Sequence, residues 1–219
     1  FLPNVDMKTG APAFGSPESN LALYACAQMA RHYGLPFRSG GNYTASRVPD
    51  GQAGYESAGT VWPTVQACTN FILHAAGWQE GGLTSGYEKF ILDIETLGAL
   101  TKFSKGLDLS EEEFAWDAYE EAGPGNHFLG TAHTMRHYKD AFFQPKVFHT
   151  DSYEKWKDEG STDAGQRANL VWKEMLNNYE PPALDEAIAG ELDAFVIQRR
   201  QEIRDGKARS DWVASKSSA

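Results

Sequence analysis

Between Arg38 and Glu56 the chain reads Arg-Ser-Gly-Gly-Asn-Tyr-Thr-Ala-Ser-Arg-Val-Pro-Asp-Gly-Gln-Ala-Gly-Tyr-Glu, which gathers amide, phenol, carboxylate and guanidinium groups in one polar stretch behind a short strand-like run. Its paired glycines, Gly40 and Gly41, permit a sharp turn or a close ligand approach, although Gly-Gly is also an ordinary loop. A second run, Leu73-His74-Ala75-Ala76-Gly77-Trp78-Gln79-Glu80, sets an imidazole inside an apolar strand and then an aromatic face two residues from a carboxylate. Such a pair can hold a quaternary ammonium ion by cation–π and Coulomb attraction. Ordinary surfaces carry Trp and Glu neighbours too, and a strand histidine is often a hydrogen-bonded core residue. A third cluster, His133 and His137 at i and i+4 with His127 nearby, has a spacing that can hold zinc. It lacks the glutamate and third ligand of a zinc helix, so we read it as structural. No phosphate-binding glycine motif, nucleophile elbow or cysteine zinc pattern is present.

These groups need elements to position them. Ser16-Pro17-Glu18 is a helix start, with a capping hydroxyl, a first-turn proline and an acid at the positive end of the dipole. That helix runs to about 33, where Gly34 and Pro36 stop it. Leu35 to Ser39 reads as a short buried strand. A second helix covers about 52 to 69, with Trp62-Pro63 expected to kink or divide it. Asn70 to Ala76 is a strand apolar enough for a parallel sheet covered on both faces. The first ten residues read as the end of another strand running into a loop, so the chain starts in mid-fold. After Gly77 the strand signal ends, and helices are expected at about 87–104, 111–122 (with a capping box from Ser110 to Glu113), 131–141, 153–159, 163–178 and 185–204. Strands alternating with helices, with polar loops at the strands' C-terminal ends, place chemistry as parallel α/β enzymes do. The organisation is residues 1–85 as the C-terminal strands and helices of a (β/α)8 barrel, 86–206 as a helical C-terminal extension and 207–219 as a frayed tail.

The balance of 20 Lys+Arg against 30 Asp+Glu, net −10, argues against nucleic acid and favours cationic ligands. No run reaches the length of a membrane span. Cys26 and Cys68 are too few for a disulfide framework, sit among small apolar residues, and read as buried structural thiols in a cytoplasmic protein.

Several strings, in order, carry a resemblance: Asp6-Met7-Lys8-Thr9-Gly10, Ser16-Pro17-Glu18, Gly34-Leu35-Pro36 with Ser39-Gly40-Gly41, Asp50 to Ser57, Leu73 to Gly77, Tyr87-Glu88-Lys89-Phe90, and Gly123-Pro124-Gly125-Asn126-His127-Phe128-Leu129. The chain resembles the C-terminal half of the trimethylamine:corrinoid methyltransferase family, up to about Arg200. The resemblance implies the end of a (β/α)8 TIM barrel and an enzyme that moves a methyl group from a tertiary or quaternary amine, such as trimethylamine or glycine betaine, to the Co(I) of a corrinoid (cobalamin). That corrinoid is supplied by a cognate partner protein and not bound permanently, and no metal site is implied. The family also implies an N-terminal half of the same enzyme and a homo-oligomer. A quaternary ammonium has a neutral amine as leaving group, so the tasks left to the protein are orientation and desolvation. Under that chemistry the pocket candidates are Tyr43, Tyr55, Glu56, His74, Trp78 and Glu80, with Asn42, Asp50 and Gln52 contacting or orienting the substrate. Arg38 or Arg47 would take a substrate carboxylate. The catalytic residue stays unassigned. The competing expectation is a noncatalytic docking or structural subunit whose acidic helical surface binds a partner.

Overall fold

The structure is a computed structural model and describes residues 4–207. Two of its strands pair in parallel. β3 (Arg38–Gly40) and β4 (Phe71–Leu73) are joined by α2 (Gly51–Gln66) and pair in the register Arg38↔Phe71, Ser39↔Ile72, Gly40↔Leu73. This is a βαβ unit, preceded by α1 (Pro17–His32) and followed by α3 (Tyr87–Ser104). Among the described residues parallel pairing is confined to these two strands, so the chain is mixed α/β and a closed barrel is not seen. The segment expected to end a barrel strand is instead a small antiparallel hairpin, β1 (Asn4–Val5) with β2 (Pro12–Ala13). Asp6 organises its turn by accepting from Lys8 N and Thr9 Oγ1. A second unforeseen hairpin, β5 (Trp78–Gln79) with β6 (Thr84–Ser85), follows β4.

Helix α2 is a single helix despite Pro63. Proline removes the N–H that would satisfy the carbonyl of Gly59. Asn20 on α1 replaces it, donating Nδ2 to Gly59 O at 2.8 Å. The same two helices are tied by Tyr24 Oη to Gln66 Oε1 at 2.8 Å and Arg31 to Ala67 O at 2.6 Å. On its inner face α2 presents Thr64, whose hydroxyl donates to Gly40 O at 2.6 Å, and Thr60, whose Oγ1 accepts from Tyr43 N at 3.0 Å. The approach is close enough that a Cβ on Gly41 would stand 2.7 Å from Val61 Cα.

Helix α3 packs against α8 (Ala164–Asn177) around Ile91, Val147 and Ala168. Glu88 accepts from Asn169 at 2.6 Å and from the Trp172 indole at 2.9 Å, and these bonds hold its carboxyl below the usual range. Buried Glu95 caps the backbone N–H groups of Lys146 and Val147 at 2.9 and 3.1 Å. The helix expected over 111–122 is broken into α4 (Glu111–Phe114) and α5 (Trp116–Ala122), because Ala115 takes a left-handed φ of 50°. Ser110 makes no side-chain cap there, so the expected capping box is not formed. Shorter helices α6 (Ala132–His137) and α7 (Tyr153–Asp158) complete this part.

The chain divides into two compact units, the first ending at Asn177 and the second beginning at Asn178. The second contains α9 (Glu186–Arg204), capped by Asp185 accepting from Ala187 N and Ile188 N. The tail expected at 207–219 lies, beyond Lys207, outside the described residues, as do Phe1 to Pro3. No helix among the described residues is long and apolar enough to cross a membrane. Both cysteines are exposed, a correction to the expectation of buried thiols. Cys68 has left the last turn of α2 with a φ of 54°, and Cys26 lies on α1 beside a small apolar pocket it shares with Leu23, Phe37 and Tyr43.

Candidate functional site

The loops that leave the C-terminal ends of β3 and β4 are bonded to each other. Glu80 N donates to Ser46 O at 2.8 Å and Gly81 N to Thr44 O at 2.9 Å. Asn42 Nδ2 donates to Ala75 O at 2.6 Å. The result brings Asn42, Tyr43, His74, Trp78 and Glu80 to one end of the parallel pair, where βα enzymes carry their sites.

Asn42 is fully buried, with a φ of 54° that asparagine tolerates better than most residues. Its Oδ1 has no hydrogen-bond partner among the described residues, a costly state for a buried amide oxygen. Tyr43 packs on Phe14 at 5.1 Å between centroids, and burial pushes its phenol above the ordinary value. His74 lies one residue beyond β4, not inside the strand, with a φ of 56°. It is exposed, and its ring stands nearly perpendicular to that of Trp78 with centroids 5.2 Å apart. Trp78 also borders an aromatic cleft of about 540 Å³ together with Tyr87, Phe90 and Trp172. Tyr87 and Trp172 stack there at 4.9 Å. Glu80 faces Arg47 at 4.0 Å, an exposed pair that contributes little to stability and leaves both groups accessible.

The remaining candidates lie at or beside α2 and serve it visibly. Asp50 is its N-cap, accepting from Ala53 N and Ser46 Oγ at 2.9 Å each, and those bonds lower its carboxyl below the usual range. Glu56 accepts from Thr44 Oγ1 at 2.6 Å, Ala45 N at 2.8 Å and Gln52 Nε2 at 2.9 Å, so it shapes the loop after β3. Tyr55 is 85% exposed on α2. Arg38 is exposed on β3.

Two residues that sequence reasoning passed over hold this arrangement from beneath. Lys89 Nζ donates to Asn42 O at 3.2 Å and to both oxygens of Asp93, and Asp93 Oδ2 accepts from Gly77 N at 2.8 Å. Burial raises the Asp93 carboxyl to about 6, against the attraction of Lys89, and burial lowers the Lys89 ammonium. A Lys–Asp pair at i and i+4 on a helix reads as a solvated surface pair. Only its position behind two glycine-rich strand ends could have flagged it.

The histidine cluster resolves into His133 and His137, with ring centroids 4.6 Å apart and His137 Nε2 buried without a partner. Among the described residues a different trio, His149, Asp151 and Glu159, brings its ligand atoms within 4.8 Å. Lys155 already bonds Asp151 at 2.8 Å and reaches Glu159 at 3.9 Å, so its ammonium serves those carboxylates.

A family profile described as trimethylamine methyltransferase matches residues 1–204. A glycine betaine methyltransferase of Desulfitobacterium hafniense (strain Y51) is 42% identical over 198 residues, 90% of this chain and 41% of that protein. A trimethylamine methyltransferase MttB of the same species (strain DSM 10664 / DCB-2) is 32% identical over 206 residues, 94% of this chain and 41% of that protein. MttB2 of Methanosarcina mazei, also named a trimethylamine methyltransferase, is 30% identical over 201 residues, 92% and 40% respectively. The chain thus spans about two fifths of the length of these relatives.

Proposed function

Since the chain belongs to the trimethylamine methyltransferase family, we propose that its protein takes a methyl group from a methylated amine and passes it to the Co(I) of a corrinoid carried by a separate protein. The observation that carries this reading is the family match over residues 1–204, and the strand-end group supports it, with the Trp78 and His74 rings 5.2 Å apart and the Glu80 carboxylate facing Arg47. A quaternary ammonium is favoured, because the 42% identical relative is named for glycine betaine. Residues 1–85 then supply the final part of a (β/α)8 barrel, with the N-terminal half of the enzyme supplying the rest, and the reducing cytoplasm suits a Co(I) acceptor.

In this reaction an N–CH3 bond breaks with its electron pair staying on nitrogen. A tertiary amine leaves as a neutral molecule, and cobalt supplies the pair for the new bond. No proton need be delivered to a quaternary substrate. The chain's residues therefore bind and orient. Trp78 offers its face to the cation, Glu80 adds Coulomb attraction, and Arg47 beside it can take a substrate carboxylate. Glu56 and Asp50 hold the loop that carries Asn42 and Tyr43, and Gln52 supports Glu56.

The test is methyl transfer by the full-length protein to a reduced corrinoid, with trimethylamine, dimethylamine, choline, carnitine and glycine betaine as donors. We expect turnover with at least one quaternary amine. Transfer from none of the panel would defeat the proposal.

A further inference from the structure

We propose that Lys89 and Asp93 are positioning residues that set the spacing of the two site loops, a role that rests on the functional reading above only for its catalytic consequence. The hydrogen bonds form a closed circuit: Asn42 Nδ2 to Ala75 O, Gly77 N to Asp93, Lys89 to Asp93, and Lys89 back to Asn42 O. One helix, α3, thereby grips both the loop after β3 and the loop after β4. Its entry is fixed to the second loop as well, because Gly86 N donates to Gly77 O at 3.0 Å. Gly77 has a φ of 85°, and a Cβ there would stand 3.3 Å from the Phe90 side chain, so loop and helix are in contact along this line.

The pair is 3% and 4% exposed at its side chains. A buried ion pair in such a place is weak support for stability, since apolar residues of the same volume often do as well. What apolar residues cannot do is bond three partners in fixed directions. Lys89 and Asp93 bond a carbonyl on one loop, an amide on the other, and each other. The consequence is local. Asn42 is held from its backbone oxygen and its amide nitrogen, which fixes the direction of its unpartnered Oδ1, and Trp78 follows directly on the anchored Gly77.

The variant Lys89→Met with Asp93→Leu, made in the full-length protein, removes the circuit while keeping side chains of similar shape. Amide hydrogen exchange is read at Gly77, Glu80 and Gly81, the donors that join loop to helix and loop to loop. Protection at these amides is expected to fall at least tenfold while α1 and α2 keep theirs, with KM for the preferred amine raised about tenfold and kcat changed less. Unchanged protection in the variant, or equal loss throughout α1 and α2, overturns the proposal. A second arm uses the wild type alone. The three amides should open together with Phe90 N, which bonds Gly86 O at 2.9 Å in the first turn of α3, and opening more than tenfold faster than Phe90 overturns the proposal even if the variant fails to fold. Should the wild type transfer no methyl group, the functional reading falls while the exchange measurements still decide the positioning role.

Discussion

Asp93 makes the candidate site's support sensitive to pH. Its carboxyl is raised by burial from 3.8 to about 6, so between those values the folded chain binds a proton that the unfolded chain has released. Stability from this group is therefore fully present below about 4 and is lost as pH rises through about 6. Lys89 is lowered from 10.5 by the same burial, so its cost is relieved only in alkaline solution. Thermal unfolding of the full-length protein should show a falling component between pH 4 and 7 that is missing from Asp93→Asn, and an identical pH slope in the two proteins would remove Asp93 as its source. At this scale the sequence shows residue types and not their engagement. Trp78 and Glu80 stand out because an aromatic ring near a carboxylate suits a cation, and His74 because it interrupts an apolar run. Nothing in the local pattern shows that Glu56 spends its lone pairs on Thr44, Ala45 and Gln52. Nor does it show that Lys89 and Asp93 are buried, because burial is decided by what packs from elsewhere in the chain.

Helix α2 illustrates how elements correct one another. Its proline leaves the Gly59 carbonyl without an intrahelical donor, and Asn20 of α1 supplies one at 2.8 Å. Asn20→Ala should then cost about 1 kcal/mol, and the cost should shrink by a similar amount in a Pro63→Ala background, where the restored N–H reaches Gly59. A double-mutant cycle by urea unfolding measures the coupling. Additive effects would show that the asparagine does not compensate for the proline. Gly41→Ala tests the other face of α2: a methyl group 2.7 Å from Val61 Cα forces helix and strand apart, and overpacking of this kind costs about 1–3 kcal/mol. Wild-type stability in that variant would mean that helix and strand yield to the methyl group without cost. The helices were legible because prolines and glycines punctuate them, as at Pro17 and Gly34 for α1, although the expected Ser16 cap is not made and its hydroxyl meets Ser19 Oγ at 3.2 Å instead. The two hairpins were not, since two-residue strands such as Trp78–Gln79 are too short to show alternation. The break at Ala115 has no local cause in residue type, as alanine is a strong helix former.

At the scale of the molecule, the order of motifs made the family legible where composition fitted many enzymes. A net charge of −10 and an aromatic strand-end group both favour a cation, and that preference can be separated from shape. The carbon isostere of glycine betaine, 3,3-dimethylbutanoate, keeps the volume and carboxylate but replaces the ammonium with a neutral quaternary carbon. A cation over Trp78 gains roughly 0.5–2 kcal/mol from the ring face, and Glu80 adds attraction that a neutral group forgoes. The isostere should therefore inhibit the full-length protein at least tenfold more weakly than glycine betaine binds. Trp78→Ala should narrow that gap by roughly 2- to 30-fold, the range that the cation–π contribution converts to. Tyr55→Ala, which removes a ring 85% exposed, should narrow it less. Cys26→Ala, in a pocket whose lining does not include Trp78, should leave it unchanged. Equal binding of the isostere and glycine betaine to the wild type would show that the site recognises shape and carboxylate alone, which would remove Trp78 and Glu80 as the source of its selectivity.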